Sequence, residues 1–68
     1  MTLTLTINGE TQRFTGPLTV AGLMEQLGLE ARKVAIERNL AIVPRSQHGE
    51  VTLVDGDRVE IVEFIGGG

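Results

Sequence analysis

The stretch Thr2-Leu3-Thr4-Leu5-Thr6-Ile7-Asn8-Gly9 decides the fold. Leu3, Leu5 and Ile7 take every second position and threonines fill the positions between, the pattern of a strand with one face in a core and the other toward water. Asn8-Gly9 accepts the positive φ angles of a type I′ turn, so the run from Glu10 to Thr15, which contains Phe14, is expected to return beside the first as a hairpin. Gly16-Pro17 then breaks the sheet. Thr19 is placed to cap a helix, Val20, Leu23, Met24 and Leu27 recur at helical spacing, and Gly28 ends the pattern. Gly22 inside this helix costs roughly 1 kcal/mol against alanine, so the helix should depend on packing against the sheet.

Further along, Val34 and Ile36 alternate with charged or small neighbours, and Lys33 to Asn39 reads as a third strand. Two readings stand for Leu40 to Val43: a continuation of that strand, or a short partner to it. Pro44 ends the run, Ser46 is placed to cap a single helical turn through His48 before Gly49, and Val51 to Val54 is a further extended piece. Asp55-Gly56-Asp57 makes a tight turn, with Gly56 suited to the left-handed conformation, into a last strand from Arg58 to Ile65. This order predicts an α+β fold in which one main helix packs on one face of a mixed, four- to five-stranded sheet. A right-handed crossover through the helix is expected to place the third strand parallel to a hairpin strand, and the threonine face is left open to water.

The chain has 68 residues and no internal repeat, so residues 1–65 read as one domain, followed by a flexible glycine tail at 66–68. It has no cysteine, which excludes disulfides, thiolate metal sites and a cysteine nucleophile, and leaves stability to packing alone. Six basic against nine acidic residues give a net charge of −3, which would repel nucleic acid and anionic membranes. Two phenylalanines, with neither tryptophan nor tyrosine, offer no base-stacking platform. No signal-peptide pattern and no apolar run approaching about 18 residues is present, so a cytoplasmic location is the expectation.

Gly66-Gly67-Gly68 follows the last strand directly. Three residues reach at most about 10 Å, enough to enter a partner's active site while the body stays outside. Lacking Cβ atoms, they fit a narrow channel, at an entropic cost that a partner must offset. A frayed terminus or cloning remnant is the bland alternative. The absence of serine-rich linker or tag residues, and the abrupt change from strand to glycine, favour a working arm.

The opening strand with Asn8-Gly9, the segment Val43-Pro44-Arg45-Ser46, the block Asp55-Gly56-Asp57-Arg58-Val59-Glu60-Ile61-Val62 and the terminal Gly67-Gly68 together give the chain a resemblance to the ubiquitin-like β-grasp sulfur carriers, most closely the ThiS family of thiamine biosynthesis. The resemblance covers nearly the whole length. Asn39-Leu40 departs from it, since relatives carry a more polar turn there. The resemblance implies a carrier, not an enzyme: an adenylating, E1-like partner uses ATP to activate the carboxylate of Gly68, sulfur from a donor such as a cysteine desulfurase converts it to a thiocarboxylate, and a thiazole synthase receives that sulfur. No cofactor is expected on the chain itself. The chemistry is consistent with an α-carboxylate of pKa near 3.5, an anion at neutral pH and a poor electrophile until it is activated. Two alternatives remain open: a ubiquitin-like protein modifier or interaction module, and a sulfur carrier serving molybdopterin, cysteine or tRNA thiolation.

No residue of the body reads as a catalyst. His48 is the only histidine and is expected to be a solvated loop residue, without the company a metal would need. Asp55 and Asp57 are read as turn residues, not as an acid–base pair. In the last strand Val59 and Ile61 share one face, Val62 and Phe64 the other. If the first pair is core, Val62 and Phe64 emerge beside the tail as partner surface, with Leu40 extending the patch and Arg45 and Arg58 orienting the encounter. The competing reading tucks Phe64 into the core.

Overall fold

The computed structural model describes residues 1–64, so the expected strand end at Ile65 and the glycine tail at 66–68 lie outside the described residues. In chain order the elements are β1 (Thr2–Ile7), β2 (Glu10–Thr15), α1 (Val20–Leu27), β3 (Val34–Arg38), β4 (Ala41–Val43) and β5 (Arg58–Glu63), with 3₁₀ turns at Ala31–Lys33 and Arg45–Gln47. The five strands make one mixed sheet in the order β2-β1-β5-β3-β4.

The hairpin forms as its alternation dictates. Leu3 lies opposite Phe14 and Ile7 opposite Glu10, and the turn takes positive φ at Asn8 (48°) and Gly9 (84°). Leu3, Leu5 and Ile7 are buried on the helix side, while Thr2, Thr4 and Thr6 face outward and are exposed or half-exposed. At the start of α1 the Thr19 hydroxyl accepts from the Gly22 N–H at 3.0 Å, which satisfies one otherwise orphaned donor. At its end Gly28 takes φ 71°, its N–H reaching Glu25 O at 3.1 Å and the Leu29 N–H reaching Met24 O at 2.9 Å. Val20, Leu23 and Met24 are the buried stripe of the helix. With Leu3, Leu5, Ile36, Leu53 and Val59 they form the core.

β3 has the expected direction relative to the hairpin. It runs in the same direction as β2 without touching the hairpin, because β5 lies between β1 and β3. The parallel pair is β1 with β5, through Thr6 opposite Arg58 and Ile7 opposite Val59; β3 pairs with β5 antiparallel from Arg38 opposite Val59 to Val34 opposite Glu63. Val59, with no exposed surface, needs neighbours on both sides, and the central place supplies them. Of the run Leu40 to Val43, Ala41–Val43 forms the short partner, β4, after a two-residue turn at Asn39 (φ 50°) and Leu40 (φ 72°). Val51 to Val54 is not a strand. It makes one bridge, Thr52 to Thr19, and is held by the Leu53 N–H to Leu18 O (2.8 Å) and the Val20 N–H to Val51 O (3.0 Å). Nor is Ser46 a cap: Pro44 holds that position, and Ser46 lies inside the 3₁₀ turn without a side-chain cap bond.

Candidate functional site

Side-chain and backbone hydrogen bonds hold β5 along its length. The Asn8 side chain continues the β1–β5 ladder past the end of β1, with its Oδ1 accepting from the Ile61 N–H at 2.7 Å and its Nδ2 donating to Ile61 O at 3.2 Å. At the start of β5, Asp57 is buried at 4% exposure and accepts from Arg38 Nε (2.8 Å), Asn39 Nδ2 (2.9 Å) and the Val54 N–H (2.8 Å). Burial pushes its carboxyl up, but these three donors outweigh burial and hold it below the usual aspartate value. Asn39 is locked in turn, donating its N–H to Arg58 O (2.8 Å) and accepting from the Arg58 N–H (2.9 Å). Asp55 Oδ1 accepts from the Thr4 N–H at 2.7 Å. Both aspartates are therefore occupied as scaffold. At the far end the Phe64 N–H donates to Lys33 O at 2.7 Å, the last backbone bond along the chain among the described residues.

β5 presents two faces. Val59 and Ile61 pack toward the helix; Arg58, Glu60 and Val62 fall on the open side, and β5 ends at Glu63, short of the expected Ile65, with Phe64 just beyond it. Val62 is 57% exposed and Phe64 53%, so Phe64 is not tucked into the core. Their neighbours by register are Ala35 beside Val62 and Glu37 beside Glu60, and Ile42 of β4, 73% exposed, stands next to Glu37. Ile42 was not legible as surface from the sequence, although counting alternation back from a buried Val43 would have turned it outward. Leu40 is exposed at the tip of the β3–β4 hairpin but does not extend the patch beside the tail, contrary to expectation: antiparallel pairing sets Arg38 opposite Val59, which carries the turn to the Arg58 end of β5, away from Phe64.

Arg45 is not brought to this face. Pro44 turns the chain away after β4, and Arg45 lines a shallow groove of about 250 Å³ on the helix side, with Ala21, Met24, Leu29 and His48. His48 also differs from the expectation of a solvated residue. It is 5% exposed and its Nε2 lies 3.2 Å from Val43 O, a carbonyl that can only accept, so the hydrogen sits on Nε2. The His48 carbonyl accepts from the Ala21 N–H (2.8 Å), which ties this turn to the start of α1. Among the described residues no group of three or more His, Asp or Glu side chains could hold a metal ion, and no helix is long and apolar enough to cross a membrane.

Comparison with known proteins agrees with this architecture. The profile of the ThiS family matches residues 5–68. A crystal structure of the thiamine biosynthesis protein ThiS from Geobacter metallireducens superposes with a TM-score of 0.82 at 35% identity, covering 97% of this chain and 100% of that one. The sulfur carrier protein ThiS of Bacillus subtilis is 42% identical over 50 residues, 74% of this chain and 76% of its own. A thiazole synthase of Paramagnetospirillum magneticum is 55% identical over 64 residues, 94% of this chain but 20% of its own length. A second thiazole synthase, from Magnetococcus marinus, shares 45% identity over 62 residues, so the chain spans about a fifth of the first curated relatives it matches, 20% and 19% of their lengths. On the family profile, the Bacillus relative and the β-grasp architecture shared with the Geobacter protein, the chain belongs to the ThiS family.

Proposed function

We propose that this ThiS-family sulfur carrier of thiamine biosynthesis works through the carboxyl group of Gly68, which an adenylating enzyme activates with ATP, a sulfur donor such as a cysteine desulfurase converts to a thiocarboxylate, and a thiazole synthase consumes. The carrier is then a co-substrate of its partners and supplies no catalytic group. The observation that carries this reading is the family match running through Gly68, in a chain whose sequence places Gly66-Gly67-Gly68 three residues after β5, the central strand of the sheet. The scaffold roles of Asp55 and Asp57 support it, since both carboxylates of the turn before β5 are engaged by backbone and side-chain donors.

The carboxylate oxygen attacks the α-phosphorus of ATP and displaces pyrophosphate; a persulfide on the donor side then attacks the acyl carbon and displaces AMP, and a thiol of the donor machinery cleaves the resulting acyl disulfide, releasing the thiocarboxylate and leaving a disulfide behind. A synthase partner suits the two thiazole synthases that share this sequence within one longer chain. Val62 and Phe64, exposed beside the tail exit, supply the surface on which a partner rests while the tail lies in its active site.

The test is intact mass. Incubation with the adenylating enzyme, ATP and a sulfur donor is expected to raise the mass by about 16 Da, the replacement of one oxygen by sulfur, and deletion of Gly68 is expected to abolish that gain with an unchanged fold. A shortened chain that is still thiolated would refute the assignment of Gly68. Adducts on target lysines in place of a thiocarboxylate would move the chain to the modifier class.

A further inference from the structure

The helix-side groove carries three features that call for one kind of occupant. Ala21, Met24, Leu29 and Ala31 give it an apolar lining. Arg45 stands on its wall, exposed and without an ion pair among the described residues. His48 lines it too, 5% exposed, and with the hydrogen on Nε2 its Nδ1 is a buried acceptor to which no described residue donates. A buried acceptor left in that state costs free energy that an incoming N–H recovers. A short segment with an apolar side chain, backbone N–H groups to donate and a negative charge answers all three features.

From this we infer that the chain's own end, Ile65-Gly66-Gly67-Gly68, folds back into this groove when no partner is bound, with Ile65 against Met24 and Leu29, a glycine N–H donating to His48 Nδ1 and the Gly68 carboxylate beside Arg45. The segment starts in the right place. The Phe64 N–H is bonded to Lys33 O, two residues along the chain from Ala31 in the groove lining. Val34 lies opposite Glu63 and Ile36 opposite Val43, so β4 runs toward the end of the sheet where β5 finishes, and Arg45 follows two residues after Val43. The segment is also long enough. β5 and β4 lie two strand spacings apart, about 10 Å, whereas four residues span up to about 14 Å and Arg45 adds the length of its own side chain. Glycines, lacking Cβ atoms, can approach an atom as covered as His48 Nδ1. Glu25, which lines the groove from α1, repels a carboxylate and leaves it the Arg45 side. This resting state goes beyond the carrier reading and does not depend on it: the carboxylate is withheld until a partner draws the tail out, and the partner's apparent affinity is reduced by the fraction of molecules whose tail is out.

The test is NMR of the full chain alone, native and carrying Arg45→Gln or Ile65→Ser. In the native chain, nuclear Overhauser contacts are expected from the Ile65 methyls to Met24 or Leu29, with backbone order parameters at Gly66 and Gly67 above about 0.6, the level below which a segment counts as flexible. Each substitution is expected to take those order parameters below about 0.6 and to shift the His48 Nδ1 resonance as its donor is lost. Arg45→Gln is also expected to raise the titration midpoint of the Gly68 carboxyl by about half a unit. The two substitutions lie in different segments, so a fold defect in one leaves the other to decide. Native order parameters below about 0.6, or no Overhauser contact from Ile65 to the groove, would overturn the inference, as would tail order that neither substitution changes. Tail order that rises with protein concentration would also overturn it, since the tail would then lie in the groove of a second copy. With no enzyme, ATP or sulfur donor present, failure of the carrier chemistry would leave every one of these readouts unaltered.

Discussion

Asp57 shows how one side chain fixes the entry of a strand. As sequence, Asp55-Gly56-Asp57 announces a turn, and the turn is there, with Gly56 at φ 90°. What it does not announce is that Asp57 gathers Arg38 and Asn39, 19 and 18 residues earlier, because such partners are chosen by strand pairing and not by local pattern. Asp57→Asn is expected to destabilise the fold by about 2–4 kcal/mol at pH 7, since it leaves Arg38 half-buried without its counter-charge. The folded carboxyl titrates below its unfolded value, so its contribution is fully present above the unfolded pKa of about 3.9 and is lost as pH falls through the folded one. The difference between native and variant, read from urea midpoints, should therefore shrink below about pH 4. Gly22 makes a second case. Propensity alone says that Gly22→Ala gains roughly 1 kcal/mol, but a Cβ there would meet Leu18 Cδ1 at 3.0 Å and the capping Thr19 Oγ1 at 3.4 Å. Thermal unfolding is expected to show a loss of about 1 kcal/mol in place of that gain.

Among the elements, the hairpin, the helix with both caps and the last strand were legible because each rests on a local signal: period-two alternation, Thr19 and Gly28 at helix ends, and a turn pair with positive φ. The position of β5 between β1 and β3 was not, since any apolar strand can fill a central slot and only the whole set of pairings decides which does. Pairing also creates a conflict that no linear reading exposes. Glu37 and Glu60 stand directly opposite on the open face, and among the described residues neither forms an ion pair. Glu60→Gln is expected to raise stability by about 0.5 kcal/mol, measurable by denaturant titration at low salt and diminished at high salt. No gain at low salt would mean that the two carboxylates are already screened or splayed apart.

At the level of the whole molecule, the candidate site was readable where it depends on chain order and unreadable where it depends on the path of the backbone. Val62 stands on the open face that alternation assigns it and Phe64 is exposed just past the end of β5, whereas Leu40, though exposed, lies at the opposite end of β5 and does not extend their patch. Arg45 lies on the helix side because Pro44 redirects the chain, and His48 is buried because its turn packs on the start of α1, neither of which a run of polar letters reveals.

The sheet consists of two antiparallel pairs, β1–β2 and β3–β4, joined only by β5. Each pair can zip locally, but the strand that unites them comes after both in synthesis, and its contact with β1 closes a loop of some fifty residues, from Thr6 to Arg58. Seating of β5 is thus the step that completes the body, and a molecule in which the central strand has slipped loses the bond between the two hairpins altogether.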